Sequence, residues 1–255
     1  MLSLRNYIQT TPNFWESCEA EFDDPTIPDV EGQIRIEMGD QTGDKYLRLL
    51  GTLLTYSEDQ GGVILGYAEI AYYTIKRVSA RSGLRQEIWV NQSDTKQIRI
   101  IFYETDVFDL WWNALIKICV VKNADFQLGA LIGKGGFAKV YLTTDGCAAK
   151  LIKKAKINGS VGLQSLKSEI ELHRSMDHDF ITKLHSVHDI GNAYILKMDY
   201  FQGKRLSEVA KNGQLAEKQI KNVMQQLLEA LAYMHSKNVV HCDFTSHNIL
   251  ISDSF

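Results

Sequence analysis

Short stretches in which apolar and polar residues alternate fill residues 31 to 105, and they constrain the fold more than any other feature of the sequence. Clusters of glycine, serine, aspartate and asparagine separate these stretches and favour turns. A period of two residues is typical of a strand with one buried face. The stretches are QIRIEM, KYLRLLGTLLTYS, VILGYAEIAYYTIKRV, QEIWVN and KQIRIIFYE. They predict about six or seven short strands in a small antiparallel barrel or sandwich.

A helical pattern follows the last of these strands, in the segment TDVFDLWWNALIKICVV. Thr105 or Asp106 can cap its start. The apolar residues that recur at helical spacing are Phe108, Trp111, Trp112, Leu115, Ile116 and Cys119. Strands followed by one tryptophan-bearing helix resemble the pleckstrin-homology (PH) domain. KYLRLLGTLLTYS is similar to its second and third strands, and FDLWWNALIKI to its C-terminal helix. The resemblance implies an all-β PH-like barrel with a C-terminal helix over residues 31–122.

Residues 1–30 precede this domain and carry all three prolines of the chain and the acidic run EAEFDD. Such a composition predicts a mostly irregular arm. Phe14, Trp15 and Phe22 are the large aromatic residues of the arm that could dock on the folded chain.

PH domains often read phosphoinositide headgroups, with one basic residue late in the first strand and two alternating basic residues at the start of the second. Arg35 and Lys45 match two of these positions, but Gly43 occupies the third. Asp40 and Asp44 lie close by. The incomplete motif argues against phosphoinositide binding, and it leaves a regulatory protein as the expected partner of this domain.

Charge and cysteine usage exclude several classes of protein. Residues 1–122 contain 12 Lys and Arg against 18 Asp and Glu, so the first half is a poor ligand for nucleic acid. The longest apolar run, LWWNALIKICVV, is too short to span a bilayer, and the first residues lack the apolar core of a signal peptide. The four cysteines, Cys18, Cys119, Cys147 and Cys242, form no CxxC pair, which favours a reducing compartment. These features predict a cytoplasmic protein; the PH-like domain leaves peripheral membrane attachment open.

The second half opens with a glycine-rich turn in FQLGALIGKGGFAKVYLTTDGCAAKLIK. Glycine residues let backbone N–H groups approach phosphate oxygens closely. The Asp145-Gly146 pair predicts a two-residue hairpin with positive φ at both positions. Lys150 lies in a run of small and apolar residues, where its charge requires a partner. Glu169, in the predicted helix LQSLKSEIELHRSM, is the expected partner.

These segments resemble a protein kinase: IGKGGFAKVY its glycine-rich loop, CAAK its phosphate-pairing lysine strand, and YILKMDYFQGKRL its hinge. The resemblance implies an ATP site. Its residues would be Ile132, Gly133, Lys134, Gly135, Gly136, Phe137, Ala138, Val140, Ala148 and Lys150, with Met198 as gatekeeper and Asp199, Tyr200 and Phe201 in the hinge. Lys150 would pair with Glu169 in the catalytic machinery.

The resemblance extends over residues 126–255 and implies an α+β small lobe followed by the first helices of the large lobe. Two helices carry apolar faces that we expect to be buried. Those of the first are Leu163, Leu166, Ile170 and Met176, and those of the second are Ile220, Val223, Met224, Leu227, Leu228, Leu231 and Met234. If neighbouring segments were missing, the second helix would expose its apolar face.

The segment HCDFTSHN resembles the catalytic loop of the family. The resemblance implies that Asp243 is the catalytic base, that Asn248 binds Mg²⁺ and that His241 is structural. Cys242 replaces the usual arginine, and Thr245 replaces the usual lysine near the transferred phosphoryl group. The overall pattern favours serine or threonine residues of proteins as the substrate.

Three other hypotheses compete with this one. The chain ends at Phe255, before the D-F-G segment of the family, so we expect this chain alone to have little activity. It could then be a pseudokinase or a truncated nucleotide-binding scaffold acting through protein partners. Thiol chemistry at Cys242 and a metal site formed by His185 and His188 or by His241 and His247 lack the partners that such sites require.

Overall fold

The computed structural model describes residues 14–20, 28–38, 41–79, 85–93, 95–211, 213 and 215–252. These residues divide into two compact units. The first unit contains the described residues up to Ala124 together with Ser186–Ile190. The second contains Asp125–His185 and the described residues from Gly191 onward. No described helix is long and apolar enough to cross a membrane.

Among the described residues, the first unit consists of Ser186–Ile190 together with nine strands and one helix. They are β1 (Glu16–Ala20), β2 (Val30–Met38), β3 (Gln41–Leu50), β4 (Leu53–Ser57), β5 (Ile64–Glu69), β6 (Thr74–Ser79), β7 (Gln86–Asn91), β8 (Gln97–Phe102), α1 (Thr105–Leu115) and β9 (Val120–Lys122). The spatial order is β1-β5-β4-β3-β2-β8-β7-β6-β9. Strands β2 to β8 are the seven antiparallel strands that the alternation predicts, followed by the predicted helix. Among the described residues the pairings form an open sheet, so the predicted barrel closure is not observed.

Alternating residues of these strands form the core of the first unit. In the paired strands β7 and β8, Ile88, Val90, Ile98 and Ile100 are all fully buried. Helix α1 contributes Phe108, Trp111, Trp112 and Leu115 to the same core. The helix ends at Leu115, earlier than the sequence pattern suggests, and neither Thr105 nor Asp106 caps it: the capping residue is Glu104, with no side-chain hydrogen bond.

Strand β1 corrects the prediction of an irregular arm, because Glu16–Ala20 pair with β5. Phe14 and Trp15 are buried in the core, so the expected docking of these two aromatic residues is confirmed. Phe22 lies outside the described residues. The close approach requires Gly66 on β5, since a Cβ atom there would lie 2.5 Å from Tyr56 Cε1. Pairing with a strand distant in sequence thus orders these residues.

The second unit starts with an antiparallel sheet in the order β14-β12-β11-β10. Its elements are β10 (Leu128–Lys134), β11 (Ala138–Thr143), β12 (Ala148–Lys153), a 3-10 turn (Lys154–Lys156), α2 (Gly159–Arg174), β14 (Ala193–Met198), β15 (Gly203–Arg205), α3 (Leu206–Lys211), α4 (Glu217–Ser236) and β16 (Leu250–Ser252); β13 (Leu184–Asp189) precedes β14 in the chain. The Asp145-Gly146 turn joins β11 to β12. Only Gly146 has positive φ there, at 80°, so the prediction of positive φ at both positions is wrong.

The two long helices of the second unit, α2 and α4, bury fewer apolar side chains than their sequences suggest. In α2, Leu166 and Ile170 are buried, whereas Leu163 is exposed, contrary to the prediction. In α4, Val223 is buried, as predicted, together with Ala230. The predicted apolar residues of α4 that are instead exposed are Ile220, Met224 and Leu228. Leu227, Leu231 and Met234 are partly buried.

Candidate active site

Lys150 and Glu169 form an ion pair, as predicted. Lys150 lies on β12, between Val140 of β11 and Leu196 of β14. Its Nζ atom donates to Oε1 of Glu169, on α2, at 2.6 Å. The two side chains are 32% and 51% exposed, so solvent screens their attraction and the pair contributes little to stability. The ion pair instead fixes the orientation of the Lys150 side chain.

The glycine-rich turn connects β10 to β11. Gly133 pairs with Val140, and the Gly135 N–H donates to the Ala138 carbonyl at 2.9 Å. Within the described residues, no hydrogen bond uses the N–H groups of Gly136 and Phe137. A Cβ atom at Gly136 would meet nothing within 4 Å. These amides are therefore free to donate to an anion above the sheet.

Lys156 holds the tip of this turn, a contact that the sequence patterns did not reveal. Its Nζ atom donates to the Gly136 carbonyl at 2.5 Å from the 3-10 turn after β12. The contact is long-range, and nothing in the lysine-rich run KKAK distinguishes Lys156 from its neighbours. The hydrogen bond restrains the main chain beside the free amides.

Two of the residues predicted to line the ATP site lie side by side: Ala148, which is buried, and Met198, its cross-strand neighbour. The hinge begins at Asp199, whose N–H donates to the Lys183 carbonyl at 3.0 Å. The Asp199 carboxylate accepts from the Lys183 N–H at 3.1 Å and hydrogen-bonds the His185 Nε2 atom at 2.6 Å. His185 thus holds the side chain of Asp199, the first residue of the predicted hinge, which argues against a role of His185 as a metal ligand.

The remaining predicted binding residues differ in exposure. Val140 is half-buried on β11, beside Lys150. Phe137, at the tip of the turn, is 76% exposed. Four further predicted binding residues are also exposed: Ile132, Lys134, Tyr200 and Phe201. The predicted ATP-site residues thus combine a buried position, Ala148, with exposed positions at the glycine-rich turn and after Met198.

Asp243 and Asn248 lie in one compact turn. The Nδ2 group of Asn248 donates to Oδ2 of Asp243 at 2.8 Å and to its carbonyl at 2.9 Å. The Asn248 N–H donates to the Thr245 carbonyl at 3.0 Å. Before the turn, Cys242 has a φ of 59°, which is uncommon for a residue other than glycine. The Asp243 N–H donates to the His241 carbonyl at 2.8 Å. The predicted base and metal ligand are thus direct neighbours.

Two short strands anchor this turn. β15 pairs with β16, which begins two residues after Asn248. A Cβ atom at Gly203 would lie only 2.2 Å from the Ile251 carbonyl oxygen. The N–H groups of Leu206 and Ser207 donate to the carbonyls of Ile249 and Ser246, at 2.9 and 3.0 Å. The main chain on both sides of Asn248 is therefore held by the segment after the hinge.

The structure brings predicted site residues together as two pairs, Lys150–Glu169 and Asp243–Asn248, and no hydrogen bond joins the pairs within the described residues. No group of three His, Cys, Asp or Glu side chains there could hold a metal ion. His188 is buried and hydrogen-bonds Ser186 and the Asn123 carbonyl, which makes it a core histidine of the first unit.

Comparisons with known proteins find relatives for part of this chain. The family described as protein kinase domain matches residues 126–255. Serine/threonine-protein kinase PrkC of Bacillus subtilis is 32% identical over 132 residues, which are 49% of this chain and 20% of that protein. An Aurora kinase of Candida glabrata is 34% identical over 133 residues, 50% of this chain and 37% of the relative.

A third relative, the probable serine/threonine-protein kinase PLK of Dictyostelium discoideum, is 32% identical over 171 residues, 64% of this chain and 16% of the relative. The chain thus spans 37% or less of the length of these relatives. The family match covers half of the chain, from the strand before the glycine-rich turn through the turn that holds Asp243 and Asn248. This chain therefore belongs to the protein kinase family.

Proposed function

We propose that the protein transfers the γ-phosphoryl group of ATP to serine or threonine hydroxyls of protein substrates. The observation that carries the proposal is the Lys150–Glu169 ion pair at 2.6 Å, because protein kinases require this pair to position the phosphates. The named serine/threonine kinases among the relatives support the choice of hydroxyl.

In this proposal, different residues of the chain bind the phosphates and activate the substrate hydroxyl. The free amides of Gly136 and Phe137 donate to phosphate oxygens, and Lys150 neutralises part of their charge. Asp243 orients the substrate hydroxyl and accepts its proton. Its Oδ2 atom accepts from Asn248, which leaves Oδ1 available for that proton.

The residues present fit a magnesium ion. Both hydrogen bonds of the Asn248 side chain use its Nδ2 group, so its amide oxygen keeps two lone pairs for a hard cation. Asp243 supplies a carboxylate beside it. When bound, Mg²⁺ would neutralise charge that develops on the phosphates.

A second candidate function is a nucleotide-binding scaffold that acts through protein partners. Thr245 favours it, because a lysine at this place in the family supplies a positive charge near the transferred group. The loss of one such charge lowers a rate about 10²–10³-fold, which weakens catalysis without removing nucleotide binding. The two functions differ in whether phosphate is transferred at all.

The test is phosphoryl transfer from radiolabelled ATP to a serine/threonine peptide library by the native protein that carries this chain. We expect Asp243→Asn to lower kcat by about 10²–10⁴-fold, with ATP affinity unchanged. Asp179→Asn, at an exposed carboxylate outside the site, is the matched control and should leave the rate unchanged. If the native protein binds ATP but transfers no phosphate, the scaffold function is correct.

We also propose that residues 31–122 form a PH-like domain that recruits a regulatory protein, and that the protein works in the cytoplasm. Seven antiparallel strands followed by the tryptophan-bearing helix α1 support the domain assignment. The test is chemical cross-linking of the native protein in cells, with mass spectrometry of the joined peptides. Cross-links from Lys76, Lys96 or Lys117 to another protein would support recruitment by this domain. Cross-links confined to lysines after residue 125 would oppose it.

A further inference from the structure

The first unit contains a cavity of about 310 Å³ at one end of strands β2 to β5. Ile36, Met38 and Leu65 form its apolar side. On β3, Gly43 lies opposite Ile36, and Lys45 lies opposite Ile34. Because Ile34 and Ile36 belong to the core, these two β3 positions also face inward. The described residues therefore leave the core unfilled at this end.

The absence of a side chain at Gly43 keeps this space open. A Cβ atom there would meet nothing within 4 Å. The volume lies at the lower end of the range for small-ligand pockets, about 300–1,000 Å³. The cavity can thus hold one long side chain or a small molecule of similar size.

The charged residues of the cavity lining determine which kind of group the cavity can bind. Lys45 Nζ lies 2.5 Å from Glu58 Oε1, so the only ammonium group of the cavity lining is already neutralised. The side chain of Glu58 is 60% exposed, against 27% for Lys45. Within the described residues the second carboxylate oxygen of Glu58 accepts no hydrogen bond. Asp59 adds a further exposed carboxylate next to it. The rim therefore favours a cation over an anion.

Tyr56 supplies the aromatic wall of the cavity. Its ring packs against Trp15, with centroids 4.7 Å apart, which fixes its orientation. Burial raises the pKa of the Tyr56 phenol, and the nearby Glu58 carboxylate raises it further, against an opposing effect of Lys45. The phenol therefore stays neutral at physiological pH and adds no charge to the cavity lining.

We propose that this cavity binds an arginine or lysine side chain from a basic segment of a partner protein. The methylene stem of such a side chain packs on Ile36, Met38 and Leu65, and its charged end reaches the free oxygen of Glu58. Both parts of the cavity match one side chain that is apolar along its length and cationic at its tip. The proposal rests on the first unit alone and does not depend on phosphoryl transfer.

The test is titration of the full 255-residue chain, isotopically labelled, with the peptide acetyl-Leu-Arg-Leu-amide, followed by amide NMR spectra. The matched peptide carries citrulline, which is neutral and nearly isosteric, in place of arginine. We expect the arginine peptide to shift the amides of Gly43, Tyr56, Glu58 and Leu65. Its Kd should be about tenfold lower than that of the citrulline peptide.

Two variants and one control locate the site. Glu58→Gln should raise the Kd of the arginine peptide about tenfold, because one exposed carboxylate loses its charge. Gly43→Leu should abolish binding by filling the cavity. Glu69→Gln, at an exposed carboxylate outside the cavity, should change nothing. Should Gly43→Leu fail to fold, the exposed Glu58 variant still decides the question.

Four results would overturn the proposal. One is equal binding of the arginine and citrulline peptides. Another is an unchanged Kd in Glu58→Gln. The third is that inositol hexakisphosphate shifts the same four amides at lower concentration than the arginine peptide, which would make the cavity an anion site. The absence of any shift at these amides up to about 10 mM peptide would count with these results, since side-chain binding in such a pocket should be detectable there.

Discussion

The two compact units differ in where they place their apolar side chains. The first unit holds all of the largest fully buried side chains among the described residues, including Trp111, Phe108 and Leu47. In the second unit, Val209, Val223 and Ile251 form a small core cluster, and α4 leaves a row of large apolar side chains exposed. The first unit should therefore be the more stable of the two, whereas the second unit exposes polar groups and backbone amides on its surface.

Replacement of a core residue should show the largest difference between the units. Trp111→Ala empties a fully buried site of the first unit and should lower the free energy of unfolding by about 3–5 kcal/mol. Leu228→Ala, on the exposed face of α4, should change it by less than about 0.5 kcal/mol. Urea unfolding monitored by circular dichroism measures both. Similar effects of the two substitutions would remove the distinction between the units.

Disturbing the packing of β1 on β5 should give the next largest loss in the free energy of unfolding. Gly66→Ala places a methyl group 2.5 Å from Tyr56 Cε1 and 3.2 Å from the Glu16 carbonyl oxygen, so the Tyr56 ring or β1 must shift. We expect a loss of about 1–3 kcal/mol in the free energy of unfolding. Gly43→Ala, which meets no atom within 4 Å, is the matched control and should cost less. Equal losses would show that β1 is held loosely.

Within the second unit, Tyr233 makes a contact whose loss should be smaller. Its hydroxyl accepts a hydrogen bond from the Asp177 N–H at 3.0 Å, and its ring lies 4.9 Å from that of His178. Tyr233→Phe keeps the ring contact and should lower stability by about 0.5–1.5 kcal/mol. Tyr103→Phe, at an exposed tyrosine, serves as the control in the same thermal unfolding experiment. A larger loss would mean that the second unit depends on this contact more than its exposure suggests.

The smallest effect concerns chemical reactivity. Burial raises the pKa of the Cys147 thiol, which reduces its thiolate fraction at neutral pH. Cys242 is exposed, and Cys119 is buried. Iodoacetamide should therefore alkylate Cys242 several times faster than Cys147, as peptide mass spectrometry can measure. Equal rates at the two residues would contradict the burial of Cys147.

Local patterns predicted much of the fold and of the site. The alternation that indicated strands in residues 31 to 105 reflects one buried face, and this physical cause acts within each strand. Lys150 could be matched to Glu169 because a lysine among apolar residues needs an acidic partner. The turn at Asp243 and Asn248 was recognised through a resemblance, and its hydrogen bonds agree with that prediction.

What the sequence could not supply depends on contacts between distant residues. Strand β1 forms because Glu16 pairs with Tyr67, and no property of the residues around Glu16 signals that partner. The hydrogen bond from Lys156 to Gly136 is long-range in the same way. The exposure of Leu163 also depends on which segments surround α2, and helical periodicity alone does not report that.

The aromatic content of the first unit has an optical consequence. The four tryptophans of the chain, Trp15, Trp89, Trp111 and Trp112, all precede residue 124 and belong to the first unit. The long helices α2 and α4 belong to the second. Tryptophan emission therefore reports the state of the first unit alone, while far-ultraviolet ellipticity is weighted towards the second. Two non-coincident transitions recorded on one unlabelled sample would separate the melting of the two units.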